Sequence, residues 1–291
     1  MTQIKNELLT VTIDPKGATL HSIVDNATGQ EYMWQGDPAI WAGQAPNLFP
    51  FVGRLKDETY TLNGKPYHMI RHGFVRGSVL ELEESGEDYC VYALSDTPEI
   101  RDIYPYTFTF RIRYTLVGRE LKISFQAENR GTEPMYCGMG GHPGFNVPMD
   151  EGLVFEDYEV RFPEPCHPHQ ICFSPSLQVA PERPAYELVD GCRLPLQHDL
   201  FSFDAVVLAD APRSVILDSP KGKHGVKVTY PQMPYVGFWH MPKTTAPYLC
   251  IEPWATLPGR DGIIEELSQY PDAFVAQPGE TVCNDWSVEV W

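Results

Sequence analysis

Between residues 106 and 116 every second side chain is large and apolar: Tyr106, Phe108, Phe110, Ile112, Tyr114 and Leu116. Thr107, Thr109, Arg111, Arg113 and Thr115 lie between them. Neighbouring side chains of an extended chain point to opposite faces, so this spacing predicts a strand buried on one side only. A turn around Gly118 follows, and Leu121, Ile123, Phe125 and Ala127 repeat the alternation. Two long strands joined by so short a turn must pair antiparallel.

Other segments read the same way. Residues 9–13 run into Asp14-Pro15-Lys16-Gly17, and residues 18–24 into Asp25-Asn26-Ala27-Thr28-Gly29. Residues 59–62 and 65–68 flank Asn63-Gly64, a pair that tolerates positive φ and predicts a two-residue hairpin turn. Residues 206–208, 215–217, 226–230 and 288–291 read as further short strands. Gly 23 and Pro 27 in 291 residues suit many turns and few long helices. One helix start stands out at Asp96-Thr97-Pro98-Glu99, a cap followed by proline at the first helical position. The proline-rich stretch 162–184 reads as a wrapped loop. With no repeat, low-complexity tract or linker, the expectation is an all-β fold of large antiparallel sheets packed face to face. It has few short helices and forms one domain over residues 1–291.

Charge narrows the partners. Lys plus Arg is 22 and Asp plus Glu is 39, a net charge of −17. That balance excludes a general nucleic-acid binder and an anionic-membrane clamp, both of which need a basic surface. A hydrophobic share of 43% is enough for a sizeable core. No signal-like segment opens the sequence, and no run approaches the roughly 18 apolar residues of a membrane span. Seven cysteines, odd in number and scattered, fit a reducing compartment, so a cytoplasmic location is expected.

Four stretches group rigid and polar residues. Residues 47–54, from Asn47 to Arg54, end an apolar run in Gly53-Arg54, which can set one guanidinium at a pocket rim. In Arg71-His72-Gly73-Phe74-Val75-Arg76, a glycine beside the histidine lets the backbone approach a bound group. In Gly140-Gly141-His142-Pro143-Gly144-Phe145-Asn146, the imidazole is framed by glycines and fixed by a proline. In Cys250-Ile251-Glu252-Pro253-Trp254, a carboxylate follows an apolar strand, where burial would raise its pKa and suit acid–base work. Each stretch alone also fits an ordinary surface or core position. A rival cluster is Cys166-His167-Pro168-His169 with Cys172, conceivable as metal ligands although the spacing matches no usual zinc pattern. No nucleophile elbow, phosphate loop or dinucleotide fingerprint is present.

In this order, the four stretches resemble the aldose 1-epimerase (galactose mutarotase-like) family, and in particular its LacX-like branch. The resemblance spans nearly the whole chain, from Thr28-Gly29-Gln30-Glu31-Tyr32 to Pro278-Gly279-Glu280 and the final strand. It implies a β-supersandwich, a cofactor-free and metal-free open cleft, and interconversion of the α and β anomers of a free sugar. The partner is a small-molecule sugar, with family members occurring as monomers or homodimers. By the same resemblance Glu252 corresponds to the general base and His142 to the general acid. His72 and Arg54 correspond to sugar-binding partners, and Asp204 is the best match to a sugar-binding aspartate. Asn47 and Trp239 complete the expected substrate contacts, with Trp254 or Phe238 as further stacking candidates. Gly53-Arg54, His72-Gly73-Phe74 and Pro143-Gly144-Phe145 replace residues typical of galactose mutarotases, so the resemblance carries the reaction further than it carries galactose.

The expected chemistry needs a protonated His142 and an ionised Glu252 across one sugar. Two alternatives use the same cleft: a non-catalytic carbohydrate-binding protein, and a sugar-phosphate mutarotase in which Arg54, Arg71 and Arg76 meet the phosphate. The overall charge of −17 ranks a neutral sugar above a phosphorylated one.

Overall fold

In the computed structural model, which describes all 291 residues, the alternating segment forms strands Phe108–Val117 and Glu120–Asn129. They pair antiparallel, with Ile112 opposite Phe125 and Tyr114 opposite Ile123. The apolar set is buried, while on the other face Arg111 bridges Glu83 and Glu128 at 2.7 and 2.8 Å.

These strands lie in a nine-stranded sheet. Its order is Arg193–Pro195, Glu159–Arg161, Ser214–Asp218, Gly225–Thr229, Thr281–Val290, Glu120–Asn129, Phe108–Val117, Tyr89–Ser95 and Glu81–Ser85. A second, seven-stranded sheet runs His169–Ile171, Val206–Ala209, Tyr235–Trp239, Tyr248–Trp254, Gly140–Gly141 and Asn47–Leu48. Its seventh strand, Gly144–Asn146, pairs with Tyr248–Trp254 as well. Every pairing in both sheets is antiparallel.

The sheets are joined by a core of 64 buried residues drawn from Ile4 to Val290. Phe110 of the larger sheet stacks on Phe49, beside the edge of the smaller one, with ring centroids 4.1 Å apart. Burying each ring contributes about 1.5–3 kcal/mol. The fold has the large antiparallel sheets that the alternation predicted and is the β-supersandwich that the resemblance implied.

Strand Tyr248–Trp254 is buried along its whole length, yet it still alternates. Leu249 and Ile251 enter the main core, whereas Tyr248 and Cys250 join one smaller apolar cluster and Trp254 another. Glu252 shares that second face by the two-residue period. The core therefore grips one side of the strand and leaves the other to line a cavity.

The short elements follow their sequence signals. Thr97 Oγ1 accepts a hydrogen bond from the Ile100 N–H at 3.3 Å, capping helix Pro98–Ile103, the one α-helix. Strands Thr59–Leu62 and Lys65–His68 close on Asn63 and Gly64, both at positive φ. Two expectations change. The last strand begins at Thr281 rather than near residue 288, because the buried polar Asn284 on its core face breaks the apolar alternation. Within the stretch read as a wrapped loop, His169–Ile171 forms an edge strand, a position that tolerates the surrounding prolines. All seven cysteines are free thiols, and no helix is long and apolar enough to cross a membrane.

Candidate active site

The seven-stranded sheet builds the site through its register. Gly140 pairs with Trp254 and Gly144 with Cys250, so His142 stands opposite Glu252 on the neighbouring strand. Pro143 has no N–H to give the ladder, but its carbonyl accepts the Ile251 N–H at 3.1 Å. The two side chains meet, with His142 Nε2 3.2 Å from Glu252 Oε2. They are 8% and 2% exposed.

Aromatic rings box the imidazole. Trp41 lies over it at 5.3 Å between centroids, and Trp239 and His72 approach edge-on at 5.6 and 5.7 Å. These contacts hold the ring plane although Nδ1 of His142 has no hydrogen-bond partner.

His72 is held differently. Its Nδ1 accepts the Gly53 N–H at 3.1 Å, which leaves the proton of the neutral ring on Nε2 as a donor. The turn that presents it depends on Gly73, at φ 70°, where an added Cβ would stand 2.0 Å from the Phe49 carbonyl oxygen. No side chain fits there.

A cleft of about 700 Å³, counted to its open mouth, contains His142, Glu252, His72, Arg54, Asp204 and Trp239. Arg71, Arg76, Trp41, Trp254, Phe173 and Leu177 also line it. Of the residues singled out in the sequence for catalysis or sugar binding, Asn47 is the exception. Its amide is buried and donates to Gly17 O, Ala18 O and Tyr114 Oη at 2.9, 3.0 and 3.1 Å, tying the second sheet to the N-terminal turn. Asn47 thus supports the fold and does not line the cleft. Phe238, a stacking candidate, is 0% exposed in the core and cannot reach a ligand.

Cys166, His167, His169 and Cys172 form no ligand cluster, and His169 instead faces Asp210 at 3.0 Å. The one trio of close potential ligands is His142, Cys250 and Glu252, with ligand atoms within 4.8 Å of one another. Burial pushes the Cys250 thiol well above its usual range. Trp41 and the pair Phe173 and Leu177 carried no signal that sequence reasoning could use. Each sits in an irregular segment without periodicity.

Burial sets the protonation states. It lowers the His142 pKa to about 3 and pushes His72 well below the imidazole range, with His142 and nearby arginines adding to the latter. It raises Glu252 well above the carboxylate range, and the charge of Asp204 adds to the rise. Asp204 itself is raised by burial, an effect that hydrogen bonds from the Ala205 amide and the Trp239 indole oppose. Burial thus opposes the expectation of a protonated His142 beside an ionised Glu252. Removing both groups from water favours a neutral imidazole against a protonated carboxyl.

The arrangement brings an imidazole and a carboxyl into contact and adds the His72 Nε2–H donor, aromatic walls and three guanidinium groups around a single cleft. A family model described as aldose 1-epimerase matches residues 1–281. The chromosomal LacX protein of Lactococcus lactis subsp. lactis is 36% identical over 269 residues, covering 88% of this chain and 87% of that protein. Among solved structures, a galactose mutarotase related enzyme from Lactobacillus acidophilus is 34% identical with a TM-score of 0.93. It is covered over 97% of its length by the whole of this chain. A galactose mutarotase-like protein from Lactobacillus casei ATCC 334 is 26% identical, with a TM-score of 0.91 and complete coverage of both chains.

Proposed function

The chain belongs to the aldose 1-epimerase family, and from that premise we propose that it interconverts the α and β anomers of an aldose by acid–base opening and reclosure of the sugar ring. The observation that carries this reading is the 3.2 Å approach of His142 to Glu252 in a cleft that His72, Arg54, Asp204 and Trp239 also line. Ring opening removes the proton from the C1 hydroxyl and delivers one to the ring oxygen. Both oxygens are bonded to the same carbon, so an acid and a base that serve them must themselves be neighbours.

The pair carries one proton in total. In the reacting state Glu252 is the base toward the C1 hydroxyl and His142 the acid toward the ring oxygen. The proton reaches Glu252 as another leaves His142, and the open-chain aldehyde faces a neutral carboxyl and a neutral imidazole. This is the protonation state that burial favours. Rotation about C1–C2 presents the other carbonyl face, and the reverse transfers close the ring. No step requires a metal or nucleotide.

The remaining groups hold the substrate. His72 Nε2–H donates to a sugar oxygen, Asp204 accepts from hydroxyls, and Arg54 braces developing negative charge on oxygen. Trp239 and Trp41 offer apolar faces to the ring carbons. The test is anomer exchange followed by polarimetry or NMR across a panel of aldoses. Exchange above the spontaneous rate for at least one of them is expected. Binding without acceleration for the whole panel would leave only a sugar-binding protein.

A further inference from the structure

Ten residues other than glycine adopt positive φ, and only two of them, His72 and Leu177, line the cleft. Leu177, at φ 61°, closes a tight hairpin. The Ser174 N–H donates to the Gln178 carbonyl and the Leu177 N–H to the Ser174 carbonyl, both at 2.8 Å. The loop is therefore Pro175, Ser176 and Leu177. A three-residue loop of this kind ends in a left-handed residue, which is the place of glycine because a Cβ there crowds the backbone. A branched leucine is the costlier choice.

Packing does not explain that choice. Phe173, on the same hairpin, rests on the small apolar cluster that holds Trp254, whereas Leu177 joins none of the apolar clusters of the fold. Nor is the turn free to shift. The Ser176 hydroxyl donates to Asp261 Oδ1 at 3.3 Å, the Val179 N–H to Gly259 O at 2.9 Å and the Asp261 N–H to Val179 O at 2.8 Å. Turned so that both ends of its amide are satisfied, the buried Gln178 accepts the Lys56 N–H at 2.6 Å and donates to Asp261 at 3.2 Å. Neighbouring structure thus over-determines a strained backbone whose side chain lines the cleft.

Resting on the mutarotase reading, we propose that Leu177 is a specificity-determining residue, a rigid wall that confines the cleft to one sugar unit and turns away reducing disaccharides. Leucine has no group to hydrogen-bond a sugar hydroxyl, so it acts on a polar ligand by excluding it. A wall excludes only if it does not yield, and the bonds to Lys56, Gly259 and Asp261 supply that stiffness. A second sugar on O4 or O6 leaves C1 and the ring oxygen of the reducing unit free, so its ring can open by the same chemistry. Only the room beside the reacting unit separates such a disaccharide from its parent. Glycine at 177 would keep the left-handed turn and remove the whole isobutyl group.

The experiment measures kcat/KM for anomer exchange at the reducing end of glucose, maltose and isomaltose, and of galactose with its O4- and O6-linked galactobioses. It uses the wild type, Leu177→Gly and Leu177→Asn, the last matching leucine in size while tolerating a left-handed backbone. The quantity read is the disaccharide-to-parent ratio for whichever hexose turns over faster. In the wild type at least one of its two disaccharides is expected about tenfold or more below the parent. That ratio rises at least about tenfold in Leu177→Gly and stays near the wild-type value in Leu177→Asn. Parity of both disaccharides with the parent in the wild type overturns the inference and leaves the mutarotase reading intact. So does a low ratio that Leu177→Gly fails to raise, or one that Leu177→Asn raises equally. If neither hexose is epimerised, the mutarotase reading fails for hexoses, and calorimetric titration with the same sugars decides the wall. A disaccharide that binds Leu177→Gly but not the wild type, which binds the parent, supports it; equal binding or no binding overturns it.

Discussion

His142 stands opposite Glu252 in antiparallel register, and their side chains approach to 3.2 Å. Both groups are desolvated by the same walls, so their protonation states are coupled. Whichever residue holds the proton is the acid, and the other is the base.

Glu252→Gln and His142→Asn are each expected to lower kcat for anomer exchange by about 10²–10⁴-fold. The double variant should be scarcely worse than either single one, because the two transfers belong to one acid–base step and losing either half disables it. Polarimetry measures the rates, and circular dichroism checks that the fold persists. Wild-type rates in either variant would remove that residue from the chemistry.

Stability should respond to pH in opposite senses at the two residues. Glu252 is raised above its ordinary value of 4.5, so its favourable linkage is complete below that pH and disappears as pH rises through the folded value. The melting temperature of Glu252→Gln relative to wild type should therefore climb between pH 4.5 and pH 8, by a few degrees for about 1 kcal/mol. His142 is lowered from 6.5 to about 3, so its linkage is present above 6.5 and is lost as pH falls toward 3. His142→Asn should gain on wild type in that acidic window. Melting curves that shift in parallel with pH would contradict both assignments.

Asn47→Ala should cost about 1–3 kcal/mol in urea denaturation, since the buried Gly17 carbonyl loses its donor while Ala18 O keeps the Tyr114 hydroxyl at 2.7 Å. The folded fraction should keep its kcat. A raised KM with unchanged stability would restore Asn47 as a substrate contact.

Gly73→Ala should destabilise the chain by at least about 3 kcal/mol, because a left-handed backbone and a 2.0 Å clash with the Phe49 carbonyl combine. Chemical denaturation measures the loss. A variant with the midpoint of wild type would show that the turn has another route open to it.

The sheets were readable where burial is one-sided. Phe108 to Leu116 announces its pairing because each inward position is apolar and each outward one polar or charged. Thr281–Val290 hides its first half because Asn284 occupies an inward position. Within the cleft, the residue types of His142, Glu252, His72, Arg54 and Asp204 were legible as a set of motifs, while their convergence was not. The contact of His142 with Glu252 depends on a register between two distant strands, and register is a property of the pairing, not of either segment. Asn47 shows the opposite failure. An amide serves a sugar hydroxyl or a backbone carbonyl equally well, and only the neighbouring turn at Gly17 decides which.

Strand Tyr248–Trp254 anchors its reacting carboxylate against tightly packed interior, whereas Arg54 and Arg71 project from solvent-exposed loops. A substitution at the rim can therefore be absorbed by solvent, whereas one beside Glu252 must be absorbed by the packed interior.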